Sequence, residues 1–244
     1  MTDPQSAAAV AAERLSLVRE STRSMLETVA GLEPAAVAEP SALPGWSRGH
    51  VLAHLARNAD SLVNLLTGAR TGTDIPQYAS EEARDQEIQD GAGRPLETQL
   101  ADLRESHERF AAAAALMADE DWATDVHHRS GAVFPAADLV WKRLGELEYH
   151  LVDLDAGYGP ARWPEVFAVV EFHKLAVKLH GTALPGVELV AEDTGDHGLI
   201  GTGEPAVTVR GSVRALLAWL SGRSDGADLK RTPDTALPQL PPLG

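Results

Sequence analysis

Two residue pairs in this chain have the spacing of a metal grip. His50 and His54 stand at i, i+4, and so do Glu146 and His150. On a helix of about 3.6 residues per turn such a pair projects from one face, with side chains close enough to hold one ion. Two imidazole nitrogens and one carboxylate, drawn from two helices, would bind zinc or a similar divalent ion and leave coordination positions open, as a catalytic site does. Helical bundles are a recurrent place for Glu-plus-His metal motifs. By itself, however, either pair is more often a surface hydrogen-bonding pair. Glu148 competes with Glu146 as the carboxylate, but it stands two residues from His150 and so points to a different face.

The remaining signatures are weaker. His127-His128 fall in a loop-like stretch and read as solvated, His173 and His180 as ordinary helix residues, and His197 as part of a Gly/Asp turn. There is no HExxH motif, no GxSxG elbow and no Walker A loop, and Gly201-Thr202-Gly203 is too short to cradle a phosphate. Arg48, Arg57, Arg84, Arg143 and Arg223 are scattered, and most arginines face solvent. The chain has no cysteine, which excludes a disulfide framework, a thiolate ligand and a cysteine nucleophile. Thiol chemistry here would have to borrow its thiol from a small molecule.

The elements that must carry these residues are mostly helices. From Ser6 to Leu32, Leu15, Val18, Leu26 and Val29 recur near helical spacing. Pro44-Gly45 makes a turn, Ser47 is an N-cap, and Val51, Leu55, Leu62 and Leu66 form one stripe up to the glycines Gly68 and Gly72. Ser80 caps a short acidic helix, Glu81 to Gln89, and Pro95 opens a third long helix running to about Met117. Asp125 to Phe134 reads as a small hairpin around Ser130-Gly131, and Pro135 opens a fourth helix that ends at Gly157. Four long amphipathic helices predict a four-helix bundle over residues 1–157. Gly157-Tyr158-Gly159-Pro160 reads as a linker. Residues 158–231 then suggest a small α+β domain, with a helix from Pro164 to His180, strands at Val187–Val190 and Ala206–Val209, and a helix capped by Ser212. Residues 232–244 form a Pro-rich tail containing Pro233, Pro238, Pro241 and Pro242.

With 21 Lys+Arg against 36 Asp+Glu the net charge is −15, which argues against a surface built for nucleic acid or an anionic membrane. No apolar run approaches the roughly 20 residues of a membrane span. Met1 to Ala12 is Ala-rich but lacks the basic start and the apolar core of a signal peptide. A cytoplasmic location is the expectation, with a small molecule rather than a macromolecule as partner and a monomer or small homo-oligomer as the assembly.

Longer stretches carry a resemblance. Leu43-Pro44-Gly45-Trp46-Ser47-Arg48, followed by Val51-Leu52-Ala53-His54-Leu55-Ala56-Arg57-Asn58-Ala59, resembles helix two of mycothiol-dependent maleylpyruvate isomerases. So does Tyr78-Ala79-Ser80-Glu81-Glu82-Ala83-Arg84-Asp85-Gln86-Glu87-Ile88, and Trp141 to Leu154 is similar to the metal-binding helix of that family. Gly211-Ser212 and Gly222-Arg223 resemble its second domain. The two helix motifs mark the wider DinB-like superfamily, whereas the 78–88 segment points to the isomerases themselves.

The resemblance implies a DinB-like four-helix bundle followed by an α+β domain like the sterol carrier proteins. It implies zinc on His54, Glu146 and His150, with His50 a neighbour rather than a ligand, and mycothiol as the thiol cofactor. The implied reaction belongs to the catabolism of gentisate-type aromatic compounds and converts maleylpyruvate to fumarylpyruvate. A thiolate adds to the cis double bond, the resulting single bond rotates, and the thiol is expelled. A free thiol has a pKa of roughly 8.5, and coordination to zinc deprotonates it. The dianionic substrate and its enolate call for a cation, for which Arg223 is the first candidate and Arg84 the second. Two other readings compete: a mycothiol S-transferase acting on electrophiles, and a non-catalytic binding or regulatory module that holds no stoichiometric metal.

Overall fold

The computed structural model describes residues 3–241, so Met1, Thr2 and the end of the Pro-rich tail, Pro242 included, lie outside it. The chain divides into two compact units, with the break between Tyr158 and Gly159. The first unit opens with α1 (Pro4–Ala30), capped by the Asp3 carboxylate, which accepts from the Ser6 N–H. α2 (Arg48–Thr71) starts on a capping box in which His50 stands where Glu or Gln is usual: Nδ1 accepts from the Ser47 N–H, and Ser47 Oγ accepts from the His50 N–H. It ends on Gly72 in the left-handed conformation that lacks a Cβ penalty. Ser80 caps α3 (Glu81–Ala92), and Glu81 and Glu82 complement the positive end of its dipole. α4 (Leu96–Ala115) follows Pro95. Then comes an antiparallel hairpin, β1 (Asp125–His127) with β2 (Val133–Pro135), and α5 (Ala137–Asp153). Pro135 therefore ends a strand and does not open the helix; α5 also stops at Asp153, short of Gly157. His127 lies in β1, not in a loop.

Amphipathic faces decide the packing. α1 packs on α5 and α4, and α2 on α4 and α5, so the four long helices close a ring, while α3 lies on α2. Val18, Met25, Leu55, Leu62, Phe110, Leu144, Leu147 and Leu151 fill the interior and are fully buried. Each contributes about 1.5–3 kcal/mol by leaving water. Arg143, expected among the solvent-facing arginines, is buried with them. The α2–α3 approach needs glycine. A Cβ on Gly49 would stand 2.1 Å from the Ala92 carbonyl oxygen, and one on Gly91 would stand 2.7 Å from Ala53 Cβ.

The second unit holds α6 (Glu165–Leu179), β3 (His180–Ala191), β4 (His197–Gly211), α7 (Val213–Leu220) and β5 (Lys230–Thr232). β3 pairs with β4 on both edges. The start of β4 runs back along it, Val190 opposite His197, and the end of β4 runs parallel to it, Val187 opposite Val207 to Ala191 opposite Gly211. β5 adds an antiparallel edge to the end of β4. The strands are longer than the hydrophobic runs suggest, and they take up His180 and His197, which the sequence assigns to a helix and a turn. Thr232 belongs to β5 rather than to the tail.

α4 also carries an imidazole into the first unit. His107 Nδ1 lies 3.1 Å from Thr22 Oγ1 on α1. Burial, and after it the charge of Arg143, depress its pKa from 6.5 to about 4. Between those two values the unfolded chain takes up a proton that the folded chain refuses, so stability falls as pH drops through the window. The melting temperature is expected to decline from pH 6.5 to about 4, and His107→Gln to flatten that decline. Thermal melts of both proteins across the window check this; equal slopes would remove His107 from the acid sensitivity.

Candidate metal centre

α2 and α5 bring three donors to one point. His54 lies two turns into α2, and Glu146 and His150 are one turn apart on α5. His54 Nε2 is 2.8 Å from Glu146 Oε2, and His150 Nε2 is 3.3 Å from the same oxygen. One ligand atom from each residue lies within 4.8 Å of the others. The two imidazoles meet nearly at right angles, 81° between planes with centroids 4.8 Å apart. Glu148, on the other face of α5, is buried and accepts hydrogen bonds from Ser21 and from the Tyr158 hydroxyl at 2.6 Å.

The charges suit a cation. Burial pushes the Glu146 carboxyl up, but His54 and His150 together outweigh it and hold the group well below the usual carboxylate range. Burial lowers the His54 pKa more than Glu146 raises it, so this imidazole is neutral and ready to donate a lone pair. Burial also lowers His150, but the Asp153 and Glu146 carboxylates prevail and raise it, so an ion there must displace a proton. Asp153 is itself 2% exposed and holds His150 Nδ1 at 2.8 Å, which turns Nε2 toward Glu146. Its backbone carbonyl accepts from the Ala42 N–H, tying α5 to the loop that leads into α2. Two imidazole nitrogens and a carboxylate, with a second carboxylate behind one ring, form a donor set that fits zinc or a similar divalent ion with positions left open.

His50 does not join the set, because its ring is committed to the helix cap. Trp46 neighbours both histidines, its ring 6.0 Å from that of His50 and 5.6 Å from that of His54. Arg84, on α3, does reach the centre. Its Nη2 is 3.4 Å from His54 Nδ1, its Nη1 is 2.7 Å from Asp85, and its buried Nε has no partner. Arg223 belongs to the second unit. α7 ends with Gly222 at positive φ, with the Gly222 N–H donating to Trp219 and the Arg223 N–H to Ala218. The Arg223 side chain donates back to the Ser221 carbonyl at 3.2 Å. Asp153 and Arg143 carried no signal of their own in the sequence; each is defined by what it meets across the fold.

A helical unit that draws two histidines and a glutamate from two helices to one point defines a metalloprotein-like class. Residues 18–155 match the family model described as the mycothiol maleylpyruvate isomerase N-terminal domain, and the chain belongs to that family. The whole chain is similar to a solved mycothiol-dependent maleylpyruvate isomerase, with 28% identity and a TM-score of 0.89 over 96% of this chain and 97% of that one. A histidine-to-alanine mutant of such an isomerase matches equally over the same shares, at 28% identity and a TM-score of 0.88. A comparison with curated proteins finds no match. Among the described residues, no helix is long and apolar enough to cross a membrane.

If an ion is held here, Asp153 orients one of its ligands. Asp153→Asn is expected to lower zinc affinity by about 10- to 100-fold, measured by competition with a chromophoric chelator. An unchanged affinity would show that the His150 ring needs no such support.

Proposed function

We propose that this protein is a zinc- and mycothiol-dependent cis–trans isomerase that converts maleylpyruvate to fumarylpyruvate. One observation carries the reading: the His54–Glu146–His150 cluster lies within a domain of the mycothiol maleylpyruvate isomerase family. In this reading the first unit is a DinB-like four-helix bundle and the second a sterol-carrier-like α+β domain. The acidic chain works on small molecules in the cytoplasm.

A divalent ion on these residues supplies the Lewis acid that keeps the thiol as a thiolate, the nucleophile whose reversible addition makes the double bond rotatable. The chain's own residues do the rest. His54 enters as a neutral imidazole. The tautomer that would present its Nε2 to a cation carries a proton on Nδ1, which would leave Arg84 Nη2 without that acceptor and with a donor for an anion. Arg223 is the further cation assigned to the substrate carboxylate or the developing enolate, where a planar guanidinium makes paired contacts that an ammonium does not.

The test follows maleylpyruvate with and without mycothiol, on metal-loaded and chelated protein. Turnover only when both are present is the expected result. Stable thiol conjugates without fumarylpyruvate would point to an S-transferase, and no dependence on metal would sink the reading. Arg223→Ala is expected to lose on the order of 10²-fold or more in rate with metal content unchanged, and Arg223→Lys to recover part of it. Near-normal turnover with a small fall in melting temperature would leave Arg223 as the cap of α7.

A further inference from the structure

Beside the ligand cluster lies a set of hydrogen-bond donors without acceptors. Among the described residues, five buried side-chain polar atoms have no partner; three are N–H groups of Arg84 and Arg143. Arg143 is 0% exposed and spends only Nη1, on the Leu55 carbonyl and on Asn58 Oδ1, both at 2.9 Å. It stands one turn before Glu146 on α5. A buried N–H with no acceptor costs about 1–3 kcal/mol. Arg84 and Arg143 each act on Tyr78, and both keep donors unspent that an incoming acceptor could satisfy.

Tyr78 belongs to the same place. The Arg84 guanidinium lies 5.9 Å from the centre of its ring. Its hydroxyl is in electrostatic reach of Arg84, Glu146 and Arg143, with Ser61 alongside. The residue before it fixes the loop. The Gln77 carbonyl accepts from Asn64, its side-chain amide donates to Ser61 Oγ, and its Oε1 accepts from the Arg129 N–H, each at 3.2 Å. That loop is therefore tied both to α2 and to the turn between β1 and β2. Tyr78 itself is half-buried, so its position is set while part of it stays accessible.

Resting on the isomerase reading, we propose that Tyr78 is a catalytic residue whose hydroxyl donates a hydrogen bond to the oxyanion that develops on the substrate, with Arg84 and Arg143 as the flanking positive charges. No proton need be transferred and no further reactant is required. Burial pushes the phenol pKa up ahead of the opposing Ser61 and Arg84, so the group stays protonated and remains a donor. An enolate oxygen placed there would meet a preorganised hydroxyl donor beside guanidinium N–H groups that are still unspent, which stabilises charge as it forms.

Tyr78→Phe keeps the ring under Arg84 and removes only the hydroxyl. With metal-loaded full-length protein, kcat for maleylpyruvate is expected to fall by about 10²-fold, with KM, metal content and melting temperature nearly unchanged. A second arm uses oxalate, a planar mimic of an enolpyruvate, titrated calorimetrically into metal-loaded parent and variant. Its affinity is expected to fall by about 10-fold in Tyr78→Phe, a hydrogen bond's worth of binding. A variant that matches the parent in both kcat and oxalate affinity overturns the role of Tyr78 and leaves the isomerase reading intact. A parent inactive on maleylpyruvate sinks that reading, and the oxalate comparison still decides whether Tyr78 holds an oxyanion.

Discussion

The candidate centre depends on the register between α2 and α5. One residue of slippage along a helix moves a side chain by about 1.5 Å and swings it by about 100°, enough to separate His54 from Glu146 and His150. The contact that sets this register is internal. Arg143, from α5, bonds the carbonyl of Leu55, the residue after His54, and the side chain of Asn58 one turn further along α2. A single guanidinium thus reads backbone and side chain of the helix that carries one donor, from a position one turn below another. The apolar stripes bring the helices together; this polar fork discriminates among the ways they could meet.

The same arginine sets the electrostatic tone. Burial lowers its pKa to about 10, against the opposing influence first of Glu146, then of Tyr78 and Asp60. It stays charged at neutral pH without touching a carboxylate. Arg143 is 0% exposed, so removing the opposing charge of Glu146 would leave a buried cation less compensated, which is costly. In a chain of net charge −15, two arginines that retain unspent donors stand near these carboxylates.

The second unit is built on different principles. β3 is central because both halves of β4 use it, with Gly201 letting the chain pass where any Cβ would stand 2.2 Å from the Pro185 carbonyl oxygen. Ser212 caps the start of α7, and Asp193 adds a second acceptor there through the Val213 N–H. At the other end Gly222 turns the chain and Arg223 follows directly, so its backbone is held by the helix it terminates. A cation placed this way has a defined origin and a short reach.

Much of this was legible in the residues alone, because it is local. Helical periodicity, Ser47, Ser80 and Ser212 as caps, and the turn glycines depend on neighbours within a turn or so. The sequence by itself therefore located the helices and put Glu146 and His150 on one face. It could not distinguish His50 from His54 by spacing, since the two are equivalent on an isolated helix; the cap on Ser47 occupies one ring, and α5 meets the other. It could not find the short pairing of β5, nor the extra length of β3 and β4, because their hydrogen bonds join segments far apart in the chain. Nor did it show Arg143 as buried, Asp153 as the support of His150, or Tyr78 under the Arg84 guanidinium. Each of those properties is a relation between elements, and only the packing of helix on helix decides which distant side chains share a space from which water has gone.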